Sequence, residues 1–267
     1  MNAKELDKDT WLITRGEGQG STHNYLLAGE DKAALLDTGL KAEELRDFTA
    51  SLTDKPIVVI HTHGHIDHIG NDQQFEEIML HPKDFDLYRL HSSADFRRDF
   101  FKGKPDEELM KRPINQEVQL QPLTDGMIID LGGRVIKVIE NPGHTHGSVS
   151  LIEEAKKTIY TGDMVCEMGV LMHFPESTSI ETYKQSLTNL RSAITADYQL
   201  YPGHQQAPLS VEWIDAYIAC ADELIELGNQ IAKKNPVDKG IAEVQFHSKG
   251  KATISYTSEK LMKSRRT

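Results

Sequence analysis

The chain is poor in cysteine, in long apolar runs and in positive charge. Only Cys166 and Cys220 occur among its 267 residues, so no disulfide framework is expected. No apolar run approaches the ~18 residues that a membrane span requires, and the N-terminal segment MNAKELDKDTW lacks the apolar core of a signal peptide. We therefore expect a soluble, cytoplasmic protein without a membrane partner.

Acidic residues outnumber lysine and arginine, 41 against 30, and the formal net charge is −11. The acidic residues are spread along the chain, so a polyanion such as nucleic acid would be repelled at long range. We expect a small-molecule substrate and no nucleic-acid partner. A homodimer is compatible with this sequence.

Strand and turn signals divide the first third of the chain into a β-meander, a helix and a buried strand. Three short apolar segments that end in glycine-containing turns are predicted strands: TWLITRG, THNYLLAG and KAALLDTG. Residues 41–52 space apolar side chains at helical intervals, and the β-branched run IVVI follows Pro56. Residues 71–80 predict a second helix and the short strand EEIML.

From Pro82 to about Pro122 the chain is charged, aromatic and poor in strand signals. Short helices are predicted at FDLYRL, ADFRRDFF and DEELMKR, so we interpret residues 82–122 as a helical insertion. The insertion holds half of the eight phenylalanines. Ligand pockets are mostly apolar, so the phenylalanines favour the interpretation of the insertion as a lid that forms an apolar wall of a pocket. The alternative interpretation is a separate helical subdomain.

Strand signals return after the insertion. A second sheet is predicted from MIIDLG, GRVIKVIENPGH, SVSLIEE and TIYTGD, and residues 178–194 predict a helix that leads into the strand YQLYPGH. A long helix near 210–234 and a C-terminal hairpin, EVQFHSKGKATISY, complete the pattern. Two strand-rich halves, each followed by helices, predict an α/β (α+β) fold with four αββα layers in a single domain of residues 1–267.

Four histidines and an aspartate crowd into residues 61–68, directly after IVVI. In an extended segment His63 and His65 project to the same side, so their imidazoles can hold one ion. Asp67 and His68 follow where the pattern turns helical, and they would point to a second position near the first.

Three later predicted strands also end in a ligand-type side chain beside glycine: His144, Asp163 and His204. Strands laid side by side bring such ends together, so four strand ends predict one site. One ion would bind to His63, His65 and His144, a second to Asp67, His68 and His204, and Asp163 could bridge the two. Imidazole and carboxylate donors in this number suit two zinc ions per chain, with manganese or iron as alternatives.

These motifs resemble those of the metallo-β-lactamase superfamily and occur in family order: HxHxDH at 63–68, PGHTHGS at 142–148, TGD at 161–163 and PGH at 202–204. The segment ALLDTG resembles the early Asp motif of the same family. The resemblance implies an αββα sandwich with a dinuclear site at one edge, formed by the seven residues named above. It also implies that Asp37 orients a ligand loop by hydrogen bonds.

Differences between this sequence and individual branches of the superfamily indicate which members it resembles most. True β-lactamases commonly place Cys or Ser where this chain has Asp163, which looks more like the hydrolases of thioesters, lactones and phosphoesters. Glyoxalase II enzymes share the seven ligands but carry a C-terminal helical domain for glutathione, whereas a helix and a hairpin follow His204 here. Lactonases often have Tyr in place of Cys166, and flavodiiron relatives have Glu in place of His65. The glyoxalase II- and lactonase-like members are therefore the better match.

We predict a dinuclear metal-dependent hydrolase. A hydroxide shared by two ions would attack a small ester, thioester, lactone or phosphoester, and Asp67 would orient or deprotonate the water as well as bind metal. Two alternatives stay open: an oxidoreductase resembling the persulfide dioxygenases, with one non-haem iron, and a metal-binding protein without turnover. Because ligation requires neutral imidazoles, activity is expected to collapse below about pH 5 to 6 and with chelators.

The remaining candidates carry weaker signals. We expect His61 and His146 to lie outside the ligand set, and Cys166 to be a buried, inert thiol rather than a reactive one. His173, in the loop GVLMHFPEST, is the best remaining candidate for touching substrate.

Overall fold

The strands form three sheets in the computed structural model, which describes residues 1–14, 22–40, 44–103, 118–205, 207–231, 233–234 and 244–261. Seven strands make up the first sheet in sequential order: β1 (Asn2–Asp7), β2 (Thr10–Thr14), β3 (His23–Ala28), β4 (Ala33–Leu36), β5 (Ile57–Ile60), β6 (Glu77–Leu80) and β7 (Gln119–Pro122). Strands β1 to β4 pair antiparallel, and β4 to β7 pair parallel. The predicted meander and the predicted buried strand IVVI are confirmed.

The second sheet has the order β14-β13-β11-β10-β9-β8. Its strands are β8 (Ile128–Asp130), β9 (Val135–Glu140), β10 (Val149–Glu153), β11 (Thr158–Gly162), β13 (Gln199–Pro202) and β14 (Leu209–Ser210). Strands β11 and β13 are parallel, and the other neighbours are antiparallel. Because β9 and β11 both run antiparallel to β10, the C-terminal ends of β9, β11 and β13 lie at one edge of this sheet.

Five helices and a smaller sheet complete the described structure. The helices are α1 (Leu45–Ala50), α2 (Phe85–Ser92), α3 (Ala94–Phe101), α4 (Ile180–Ser192) and α5 (Glu212–Leu227). The third sheet has the order β12-β17-β16-β15, with β12 (Val170–Met172), β15 (Lys233–Lys234), β16 (Gln245–Lys249) and β17 (Ala252–Tyr256). The predicted C-terminal hairpin is the β16–β17 pair. Within the described part of the chain, no helix combines the length and apolarity needed to cross a membrane.

Apolar contacts define the layers. Side chains of the first sheet, such as Leu36 and Ile60, share one core with Val138 and Leu151 of the second. The opposite face of the first sheet packs on α1, and the opposite face of the second packs on α4 and α5. Burial of each apolar face against a neighbouring layer stabilises this arrangement. The predicted four-layer αββα sandwich is confirmed.

Several boundaries differ from the sequence-based predictions. Helix α5 ends at Leu227 instead of continuing to about residue 234, because Gly228 adopts φ of +56° and turns the chain away. The helix expected before EEIML is a single 3-10 turn, Asp72–Gln74. Within the predicted insertion, two of the three expected helices are α2 and α3, and residues 119–122 form β7. The third, DEELMKR, lies outside the described residues, as do residues 41–43 of the first predicted helix.

Candidate metal centre

Loops from both large sheets meet at one edge of the sandwich. They are residues 61–68 after β5, His144 after β9, Asp163 after β11 and His204 after β13. The backbone N–H of Val149 donates to the Thr62 carbonyl at 2.9 Å, which joins the two sheets next to these loops. Gly203 packs so closely that an added Cβ would lie 2.7 Å from Asp163 Oδ1. Glycine at this position therefore lets the loop after β13 approach the carboxylate.

The structure brings the seven predicted ligand residues together. Their donor atoms lie within 4.8 Å of one another in three groups: His63 with His65 and His144, His63 with His68 and Asp163, and Asp67 with His68 and His204. Asp163 contacts both predicted sites, because Oδ1 lies 3.4 Å from His68 Nε2 and Oδ2 lies 3.6 Å from His144 Nε2. This is the position that a bridging carboxylate requires. That these residues bind metal stays a prediction.

Hydrogen bonds on the outer side of three imidazoles fix which nitrogen faces the centre. The outer donors and their acceptors are His68 Nδ1 to Asp37 Oδ2 at 2.8 Å, His144 Nδ1 to the Leu171 carbonyl at 2.7 Å, and His65 Nε2 to Glu176 Oε1 at 2.7 Å. Carbonyl and carboxylate oxygens only accept, so the outer nitrogen of each ring carries the proton. The inner nitrogens thereby face the centre, where a metal ligand offers its lone pair.

His63 is oriented in the same way through a hydroxyl group. Thr62 Oγ1 donates to Asp37 Oδ2 at 2.8 Å, so the same hydroxyl accepts from His63 Nδ1 at 3.1 Å. His63 Nε2 is left buried without a hydrogen-bond partner among the described residues. An unsatisfied buried acceptor costs about 1–3 kcal/mol.

Two inner nitrogens face each other directly. His65 Nδ1 and His144 Nε2 lie 2.8 Å apart, and with both outer nitrogens protonated these two atoms present lone pairs to one another. Such a contact is repulsive unless a cation lies between or beside the lone pairs. Together with the orphaned nitrogen of His63, it shows that this donor set fits a divalent metal ion.

Asp37 is the support behind these ligands. Its buried carboxylate accepts from the Thr62 backbone N–H at 2.8 Å as well as from His68, which are the hydrogen bonds expected for orienting a ligand loop. Burial opposes ionisation, but His68 and His61 lower the pKa of Asp37 to about 2. The carboxylate is therefore charged at neutral pH.

His61 lies behind Asp37, away from the ligand atoms. Its Nδ1 lies 3.3 Å from Asp37 Oδ1 and its Nε2 lies 2.9 Å from Asp72 Oδ2, so both ring nitrogens face acceptors and carry protons. Although burial opposes the charge, the carboxylate of Asp72, together with Asp37, raises the pKa of His61 to about 9. His146 is exposed.

The electrostatic environment differs across the centre. Burial and the neighbouring His65 lower the pKa of His144 to about 4, so this imidazole is neutral. On the other side of the centre, burial lowers the pKa of His68, but the carboxylates of Asp163 and Asp67 outweigh burial and raise this pKa to about 10. A proton at this acidic side is what a bound metal ion would displace.

Two carboxylates that sequence reasoning missed hold the ligand loops. Glu176 orients His65, as described above, and Asp84 accepts from Gly64 N at 2.9 Å and Gly147 N at 2.7 Å. Asp84 thus connects the loop after β5 to the loop after β9. Neither residue belongs to a motif. The loop of Glu176 also contains His173, whose Nδ1 lies 3.1 Å from Ser255 Oγ; contact of His173 with substrate stays a prediction.

A cavity of about 600 Å³ opens over the candidate centre. One wall is formed by Leu90, Phe96 and Phe100 of α2 and α3, so the described part of the predicted insertion provides the expected apolar wall. Cys166 also borders the cavity but is only 4% exposed. Burial, with the nearby carboxylate of Asp163, raises the pKa of this thiol well above its usual value, in keeping with an inert cysteine.

Comparison with known proteins agrees with this fold and site. Residues 18–204 match the family model described as the metallo-beta-lactamase superfamily, and the chain belongs to that superfamily. A metallo-beta-lactamase family protein from Thermus thermophilus has the same fold, with a TM-score of 0.66 over 86% of each chain at 22% identity.

Several curated relatives carry enzyme names. The acyl-coenzyme A thioesterase MBLAC2 of Homo sapiens is 29% identical over 193 residues, which cover 62% of this chain and 67% of the relative. The hydroxyacylglutathione hydrolase GloC of Haemophilus influenzae is 29% identical over 180 residues, covering 66% of this chain and 81% of the relative. Both similarities agree with the predicted closeness to glyoxalase II-like members.

Proposed function

We propose that this protein is a metal-dependent hydrolase that cleaves small thioesters. The observation that carries the proposal is the orientation of four imidazoles, each with its outer nitrogen hydrogen-bonded so that the inner nitrogen faces a common centre. Zinc suits these donors, and the two groups around Asp163 would hold two ions. When bound, the ions would lower the pKa of a water molecule and polarise the carbonyl group of the substrate.

Asp67 is positioned to accept a hydrogen bond from the attacking water and orient it. Its side chain is 31% exposed, it borders the cavity, and Oδ2 lies 3.2 Å from His204 Nε2. Burial would raise the pKa of Asp67, but His68 and His204 hold it below the usual value. An ionised carboxylate beside the cavity can accept a hydrogen bond from water and so orient it toward a carbonyl carbon.

The thioester class is supported by the relatives and by Asp163. One relative is named as a thioesterase, and the acyl–glutathione bond named in the other is also a thioester. An aspartate in the bridging position matches the sequence pattern of thioester, lactone and phosphoester hydrolases rather than that of true β-lactamases.

A reconstitution experiment tests the proposal. Metal-free protein would be loaded with zinc, manganese or iron and assayed with acyl thioesters of coenzyme A, glutathione and N-acetylcysteamine. We expect hydrolysis with about two ions per chain, its loss with a chelator and its return with metal. Asp163→Asn is expected to lower kcat/KM at least ~100-fold, whereas the control Asp54→Asn, at a side chain that is 92% exposed, is expected to match wild type.

The contrary result is equally specific. Protein that holds a single iron, consumes oxygen with a persulfide and leaves every thioester intact would replace this proposal with the oxidoreductase alternative.

A further inference from the structure

We propose that the cavity over the candidate metal centre binds an uncharged, extended apolar acyl group, with the reacting carbonyl at the centre and the acyl chain running to the rim. This inference rests on the proposed function and names the substrate class for the same site. The support comes from the exposed apolar side chains, the aromatic wall and the absence of Lys and Arg from the described lining.

Exposed apolar side chains concentrate at this cavity. Among the described residues, six large hydrophobic side chains are exposed, and four of them line it: Leu90, Phe100, Met168 and Leu171. Single exposed hydrophobic residues are ordinary, whereas a group around a pocket marks a binding surface. The cavity also contains His65, Asp163 and His204 in its lining, so the apolar rim and the candidate metal ligands share one space.

Stacked rings connect the ligand group to the rim. His91 stacks on His65 at 5.5 Å between ring centroids, Phe96 stacks on His91 at 4.2 Å, and Phe100 stacks on Phe96 at 5.8 Å. The Nδ1 atom of His91 accepts from the backbone N–H of Ile66 at 3.1 Å, so this nitrogen carries no proton and the ring is neutral. The wall formed by His91, Phe96 and Phe100 is therefore uncharged and offers flat faces to an alkyl chain or an aryl group.

The remaining lining residues favour an apolar, uncharged acyl chain. Met168 and Leu171 line the cavity from outside the helical insertion, and the unbranched thioether side chain of Met168 adapts to ligands of different shape. None of the described residues that line the cavity is Lys or Arg. A carboxylate at the far end of the acyl chain would leave water for an apolar rim without a fixed cationic partner, which costs free energy.

Chain length is the direct test. With N-acetylcysteamine thioesters from acetyl to octanoyl, we expect kcat/KM to rise up to about fourfold for each methylene that is buried. Succinyl thioester is expected to react at least ~10-fold more slowly than butanoyl thioester, because its carboxylate would leave water for an apolar rim that has no Lys or Arg.

A double variant at the rim, here called the rim pair, and a matched control pair test whether the rim selects long acyl chains. Leu90→Gln with Met168→Gln replaces side chains that are 54% and 53% exposed, and we expect the octanoyl-to-acetyl ratio of kcat/KM to fall at least ~10-fold. The control pair is Ile128→Gln with Val135→Gln, at side chains 57% and 44% exposed that do not line the cavity. This pair is expected to keep the wild-type ratio.

A binding measurement tests the acyl site without requiring catalysis. Amide analogues, with NH in place of the thioester sulfur, would be titrated into metal-free protein by calorimetry. We expect the octanoyl analogue to bind more tightly than the acetyl analogue, with a negative heat-capacity change, and the rim pair to remove the difference.

Four results would decide against part of the account. Equal binding of both analogues, or a flat chain-length series in an active enzyme, overturns the apolar acyl site and leaves thioester hydrolysis standing. A ratio that the rim pair leaves unchanged also overturns it. Chain-length-dependent binding without hydrolysis of any thioester supports the acyl site and rejects the proposed function.

Discussion

Glu176 sets the ring orientation of His65 through one hydrogen bond of 2.7 Å between Oε1 and Nε2. Burial opposes ionisation of Glu176, but the bond to His65 lowers its pKa to about 2, so the acceptor is a carboxylate. Partners of this kind hold a metal-binding imidazole in one tautomer and raise its basicity. Glu176 is therefore a positioning residue for the candidate centre.

We expect Glu176→Gln to weaken metal binding about 10- to 100-fold, because the amide is a neutral and weaker acceptor. Competition with a chromophoric chelator measures this without reference to turnover. Glu226→Gln, on the exposed side of α5, is the control. Equal metal affinities in the two variants would mean that His65 is held by other contacts.

His61 links stability to pH in the metal-free protein. Its pKa is raised from 6.5 to about 9 by Asp72 and Asp37 against the opposing effect of burial. The stability that this ion network contributes is fully present below the unfolded-state pKa of ~6.5, and it is lost as pH rises through about 9.

Between pH 6.5 and 9.5 we expect wild type to lose up to about 3 kcal/mol more unfolding free energy than His61→Gln, a variant that cannot carry the proton. Urea denaturation with a chelator present gives both values. Parallel pH profiles for the two proteins would show that the buried imidazole is neutral in the native state.

At the scale of elements, Asp84 connects loops that belong to different sheets. It is 1% exposed and accepts from Gly64 N, Gly147 N and Thr145 Oγ1, the last at 2.7 Å. Both loops carry candidate ligands, so this carboxylate fixes the distance between the groups on the two sheets. Its place directly before α2 also ties the helical insertion to the site.

Asp84→Asn is expected to lower the unfolding free energy by about 1–3 kcal/mol, since one oxygen becomes a donor that faces N–H groups. Denaturant titration checks this value. Asp86→Asn provides the control, because that side chain is 96% exposed and exposed ion pairs contribute little. A loss of similar size in both variants would contradict the role given to Asp84.

Elements with a strong apolar period could be predicted from the sequence, and elements formed by context could not. Strands β2 to β5 and helix α4 bury the side chains that gave their signals, whereas Leu6 is the one half-buried residue of β1, which pairs as an edge strand. The pairing of β12 with β17 depends on residues more than eighty positions apart. No local sequence pattern predicts a strand pair of this kind.

The candidate site divides in the same way. His63, His144, Asp163 and His204 were predictable because each follows an apolar strand in a glycine-containing loop. Glu176, Asp84 and Asp72 are single acidic residues without a recurring spacing. Their contacts depend on how the loops pack against one another, and this packing could not be predicted from the sequence.

On the scale of the whole molecule, the sandwich makes one edge the meeting point of distant segments. Strands β5, β9, β11 and β13 come from both sheets, and their C-terminal loops supply the predicted donors. A metal ion bound there would connect the two sheets and so stabilise the folded chain. Ions at ~1,000 times their dissociation constant would add about 4 kcal/mol.

Anomalous diffraction from crystals of the zinc-loaded protein tests the central claim most directly. We predict two peaks at the zinc edge, one among His63, His65 and His144 and one among Asp67, His68 and His204, with Asp163 between them. No peak at this edge of the sandwich, or a single ion away from Asp163, would contradict the account.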